Sequence, residues 1–138
     1  DYVNPEQSVE ETPVEKTPEC PPVPYYHDLA AIRIAIVSFA DECSAMVAKD
    51  FERFTNLIAA GSLRRVMIEF GRRYAKLVTV DMCNGRLVSK SVYCFVDMTN
   101  GDILKAASWD APAKHSRGNV LKADRMKSMT AYGAIYLR

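Results

Sequence analysis

Apolar and polar positions divide the chain into a helical stretch, an alternating stretch and two ends with neither period. From residue 28 to residue 60, Phe39, Cys43, Met46, Val47, Phe51, Phe54, Leu57 and Ile58 recur at helical spacing. Asp41, Glu42, Lys49, Asp50, Glu52 and Arg53 take the opposite face. Asp28 reads as an N-cap and Gly61 as a C-terminal cap, with no glycine or proline between them. The spacing predicts one long helix from Leu29 to Ala60. Ile32, Ile34 and Ile36 alternate, so a break near Ser38 is the alternative, with Ser38 and Asp41 forming a cap of their own.

Beyond Gly61 the period changes to two. Val66, Ile68 and Phe70 alternate with Arg65, Met67 and Glu69. Further strands are predicted over Tyr74–Asp81, Leu87–Asp97 and Ile103–Ser108. Asn84–Gly85 and Asn100–Gly101 read as hairpin turns of the same type I′ chemistry, since both residue types tolerate positive φ. The result is an α+β fold, a long N-terminal helix packed on a four-stranded antiparallel meander, which is the simplest two-layer solution. From Trp109 to Arg138 the segment reads as irregular, punctuated by Pro112 and Gly118, with a short helix over Ala123–Met129.

Residues 1–27 differ in kind. Six prolines and five glutamates fall within the first 26 positions, and large aliphatics are few. Such a segment buries too little to offset its ordering entropy, so an extended, acidic, proline-rich arm is expected before a single domain at 28–138. The arm reads either as a linker or as a docking segment ending in Tyr25 and Tyr26. The chain opens on Asp1, so a processed or truncated start is expected.

Composition narrows the function classes. In 138 residues, 49% hydrophobic and 25% charged, there is room for one ordinary domain with its own core. The net charge of +1 imposes no global field. Cys20, Cys43, Cys83 and Cys94 form no metal-type pair; with no signal peptide visible, reduced thiols in a cytoplasm-like compartment are expected. The longest apolar run, Ile34–Ala40, is too short for a bilayer, so no membrane partner is expected.

The densest candidate chemistry follows the last predicted strand. Lys105, Trp109, Lys114, His115, Arg117 and Asn119 combine charge, a flat apolar ring and hydrogen-bond donors. That combination suits phosphate contacts beside one stacked base. The alternative is a structured loop in which Trp109 plugs the core edge. Arg72 and Arg73, with Arg64 and Arg65, form a second basic group that Lys76 and Lys90 extend along the sheet. Acidic residues gather in the arm and helix. Tyr74, Tyr93 and Phe95 form a partial aromatic ladder, although Tyr93 and Phe95 share a face that reads as core.

Enzyme readings lack parts. His27 and His115 are far apart and no metal motif is present, so no metal, cofactor or catalytic residue is predicted. Cys94 and His115 lack a catalytic flank. Asp97, Asp102 and Lys105 lack the spacing of a nuclease metal site.

The stretch from Tyr93 to Val120 contains TNGD, KAASW, APAKH and RGN in close order, and the chain ends AYGAIYLR. This block, with Phe70–Lys76, resembles small uncharacterised proteins of tailed bacteriophages. The resemblance covers about the last third of the chain and implies a viral context, in the host cytoplasm or the virion. Asp110 stands where it would imply a base. Two functions are expected from these readings together. One is a non-catalytic phage accessory protein that binds nucleic acid through the Trp109 segment. The other is a virion structural or assembly protein whose arm and tail (Tyr25, Tyr26, Tyr136, Leu137) dock on a protein partner or a second copy.

Overall fold

The computed structural model describes residues 24–135, with side chains from Leu29 onward. The arm up to residue 23 and Tyr136 and Leu137 of the tail lie outside the described residues, as do the side chains of Tyr25 and Tyr26. Helix α1 runs Pro24–Phe51 and α2 runs Thr55–Ala59. Strands follow at Ser62–Phe70 (β1), Tyr74–Cys83 (β2), Arg86–Asp97 (β3), Asp102–Ala106 (β4) and Pro112–Asn119 (β5). A small hairpin, Met129–Thr130 (β6) with Gly133–Ala134 (β7), closes the described chain. The main sheet is an antiparallel meander in the order β1-β2-β3-β4-β5.

The α+β architecture and the helix-on-sheet packing stand; the strand count is five, not four. The segment read as irregular supplies β5, so Ala106 to Pro112 is a hairpin connection closed by Ala107 and Ser108 N–H donating to Ala111 O. Its sequence hides it for two reasons. Two register shifts against β4 leave no clean alternation, and Pro112 stands at the first position of an edge strand, where a missing N–H costs no ladder bond. Residues 120–128 form turns instead of the predicted Ala123–Met129 helix.

The helix differs at both ends. It begins at Pro24, a favoured first helical position, so Asp28 lies inside it and is not its cap, and residues 24–27 are helical. It passes Ser38 unbroken. Ile32, Ile36, Phe39, Cys43, Val47 and Phe51 are all buried on one stripe, while Ile34 is 71% exposed, which settles the isoleucine pattern as helical. The break falls at Glu52–Phe54. There Phe54 N–H donates to Phe51 O, two rings pack 5.4 Å apart, and the chain turns back toward β1. Gly61, at φ +95, ends α2 and not the long helix.

The helix lies along the outer edge strand. Val66 N–H of β1 donates to Ser44 Oγ at 3.0 Å, which caps one edge donor. On the helix side of the sheet Val66, Ala75, Leu77, Cys94, Val96 and Ile103 join the α1 stripe in one core. A register shift between Leu77 and Val78 leaves Tyr93 as an extra residue in β3. Tyr93 therefore turns into that core beside Cys94, away from Phe95, which falls on the other face. Burial pushes the Cys43 thiol up to about 12 and raises Cys94 as well, so both stay protonated.

Turn chemistry is half as expected. Asn84 and Gly85 both have positive φ, as a type I′ turn requires. Asn100 does not; Met98–Gly101 is a longer loop with only Gly101 left-handed, closed by Gly101 N–H on Asp97 O at 2.7 Å.

The segment after β5 straps α1. Arg125 makes a forked pair with Glu42 (2.8 and 2.9 Å) and donates to Ser38 Oγ. The Tyr93 hydroxyl donates to Thr130 O at 2.5 Å, seating the final hairpin on β3. Gly133, at φ +121, lies so close that an added Cβ would meet Tyr93 O at 2.4 Å. Gly133→Ala is expected to cost about 2–4 kcal/mol through strain and overpacking, lowering the thermal midpoint by roughly 10 °C. Circular dichroism melts check this; an unchanged midpoint would mean that the hairpin does not seat on Tyr93.

Candidate nucleic-acid interface

Pairing register assigns each candidate side chain to a face. Residues directly opposite in antiparallel strands share a side. Glu69, Lys76, Phe95 and Leu104 form one row across the second face of the sheet, away from α1. Arg65, Val80 and Lys90 form another row, and Met67, Val78 and Val92 lie between them. No helix among the described residues covers this face. The β4–β5 connection folds back over it instead, which brings Trp109 above the central strands. The Lys76 ammonium lies 4.2 Å from the centre of the indole and that of Lys90 5.7 Å. Trp109 keeps 41% exposure. Val78, Val80, Phe95 and Leu104 are buried beneath this roof and the lysine stems.

A cleft of about 310 Å³ opens at one end of the face, lined by Arg72, Arg73, Tyr74, Lys76, Phe95 and Asp110 among others. The cations in and around this face have unequal commitments. Lys90 pairs with Glu69 at 2.9 Å, Lys76 with Asp110 at 3.6 Å and Arg73 with Asp97 at 3.1 Å. Arg65, Arg72 and Lys114 are exposed, and no carboxylate among the described residues pairs with them. The Lys90–Glu69 pair, exposed on both sides, holds weakly and exchanges readily with a competing anion.

The eight residues singled out in the sequence therefore do not form one surface. Arg72 and Arg73 line the cleft at one end of the second face, and Trp109 lies further along that face over Lys76 and Lys90. Lys105 and Arg117 point to the helix side and hold the tail backbone, through Ala134 O at 2.9 Å and Ile135 O at 3.2 Å. Asn119 is a turn builder: its amide donates to Asn100 O and Asp102 Oδ1 and accepts from Leu121 N–H. Lys114 and His115 are exposed on the outer edge strand, in the stretch of β5 that bulges against Lys105. Lys76 and Lys90, read only as an extension of the basic group, turn out to be the partners of the indole. Strand parity marked both as same-face residues in their own strands, but nothing in the sequence brought Trp109 to them.

The remaining candidates separate as well. Cys94 is fully buried among the α1 side chains while His115 is exposed. Asp102 is bonded to Asn119 and Asp97 to Arg73 and Thr99. No cluster among the described residues could hold a metal ion, and no described helix is long and apolar enough to cross a membrane.

Residues 27–134, from the first turn of α1 through the last hairpin, match a family of unknown function (DUF7717). The chain belongs to this family. No curated protein and no solved structure matches it. The family match spans both faces of the sheet and the Trp109 connection, and it stops short of most of the acidic arm.

Asp97 is the anchor beneath the cleft. Burial pushes its carboxyl up, but the hydroxyl and amide of Thr99 and the Arg73 guanidinium outweigh burial and hold it below the usual carboxylate range. Its folded pKa is depressed, so its contribution is complete above the unfolded value near 4 and fades as pH falls through the folded one. Asp97→Asn is expected to lower the unfolding midpoint at about pH 7, and the gap from the native protein should narrow as pH falls below about 4. Urea titrations across that range decide it; a gap constant with pH would assign the loss to packing alone.

Proposed function

We propose that this chain is a non-catalytic accessory protein that binds single-stranded nucleic acid on the second face of its sheet, in a bacteriophage context by its resemblance to phage proteins. The observation that supports this reading is the half-exposed Trp109 ring bracketed by the Lys76 and Lys90 ammoniums. A base can stack on the outer side of the indole while the phosphates on either side replace Asp110 and Glu69 as partners of the lysines. Arg65 and Arg72, at opposite ends of the face, extend the cationic track. A broad sheet with an aromatic platform fits an unpaired strand, whose bases are free to stack, better than a duplex groove, which takes a projecting helix or ribbon.

The contact set thus narrows to Trp109, Lys76, Lys90, Arg65, Arg72 and Arg73, and leaves out Lys105, Arg117 and Asn119. Fluorescence anisotropy with a labelled oligothymidylate at about 20 mM salt tests it. Trp109→Ala is expected to weaken binding roughly 5- to 150-fold, the worth of about 1–3 kcal/mol for one stacked base. Arg65→Ala and Arg72→Ala should each flatten the salt slope by about one unit. Arg117→Ala, on the helix side, should leave affinity unchanged. Absence of binding at low salt, or an inert Trp109, ends the proposal.

A second reading, a virion structural or assembly protein, draws on a different observation. Met67, Met82 and Leu87 line an apolar hollow of about 290 Å³ at the far end of the same face, with Met67 and Leu87 more than half exposed. Light scattering that shows Leu87→Asp to dissociate an oligomer would favour it.

A further inference from the structure

The charge of the chain is divided between two parts. Residues 1–23 hold six carboxylates and one lysine, whereas residues 24–138 hold seventeen Lys and Arg against eleven Asp and Glu. A net charge of +1 thus conceals an acidic segment of net −5 joined to a domain of net +6. The join lies beyond the end of the sheet that carries the cleft. Along α1, Ser44 bonds Val66 and Arg33 lies 5.2 Å over the Phe70 ring, so the helix runs back along β1 toward the β1–β2 turn. Pro24 lies nine residues, about 13 Å, further along the helix. The acidic segment therefore joins the domain at the end of the sheet that carries Arg72, Arg73 and the cleft. Glu19 is five residues from Pro24, about 17 Å of extended chain, which is enough to reach that turn.

We propose that the acidic segment 1–23 is an intramolecular ligand of the Arg72–Arg73–Lys76 cleft, where it competes with nucleic acid as a polyanion mimic. The competition rests on the function proposed above; the docking does not. A tethered segment acts at a high effective concentration, so weak single contacts suffice. A domain whose cleft is filled nine-tenths of the time binds an external strand about tenfold more weakly.

The test uses the whole chain with Glu10, Glu11, Glu15 and Glu19 changed to Gln. Trp109 is the single tryptophan and its ring lies 4.2 Å from the ammonium of Lys76, which lines the cleft, so its fluorescence reports that neighbourhood without added ligand. At about 20 mM salt the quadruple variant should quench more readily with acrylamide than the native chain, and the two should converge at about 0.5 M salt. The variant should also bind oligothymidylate about tenfold more tightly at low salt. Equal quenching in the two chains overturns the docking. A quenching difference with no oligothymidylate binding by either chain upholds the docking and overturns the function proposed above. Equal quenching with equal, salt-sensitive binding does the reverse.

Discussion

The burial of one α1 stripe on one face of the sheet is the constraint from which the other features follow. Ile32, Ile36, Phe39, Cys43 and Val47 lose almost all their exposure against Val66, Leu77, Cys94, Val96 and Ile103. Each such side chain contributes about 1.5–3 kcal/mol when withdrawn from water. A single helix of this kind covers one face and one edge strand, and the other helix among the described residues, the five-residue α2, buries none of its residues. The protein deals with that exposed face by local means: lysine stems, ion pairs and a folded-back connection that carries the indole.

That arrangement gives the second face its chemistry. A sheet surface with Val78, Val80 and Phe95 at its centre would be sticky if bare. Lys76, Lys90 and Glu69 supply charge around it, and Trp109 closes over the middle while remaining partly exposed. The structural need to cover the face and the functional reading of an aromatic platform therefore draw on the same residues. On the helix side the comparable cations are already engaged: Arg64 forks to Asp81, Arg125 to Glu42, and Lys105 and Arg117 to tail carbonyls. They hold the domain together and are poorly placed to meet a ligand.

The candidate site was legible in part. Trp109, Arg72 and Arg73 stand out as residue types, and they do lie on one face. Lys105, Arg117 and Asn119 stand out equally by sequence proximity to Trp109, yet the β4 alternation sends Lys105 to the opposite side, and Asn119 is consumed by a turn. Nearness along a chain that crosses a sheet edge predicts nothing about nearness in space. The partners that matter to the indole, Lys76 and Lys90, come from strands 19 or more positions away in sequence.

By itself the sequence determined the helical stripe, the first four strands, the Asn84–Gly85 turn and the division into an acidic segment and a basic domain, because these depend on periods and residue types read within one element. Tertiary structure alone decided the fifth strand, the inward turn of Tyr93, the helix break at Phe51–Phe54 and the assignment of each cation to a face. The physical reason is phase. A bulge moves the side-chain alternation by one position, and pairing with a neighbouring strand, which no local pattern records, sets where that shift falls and which charges then stand within reach of one another.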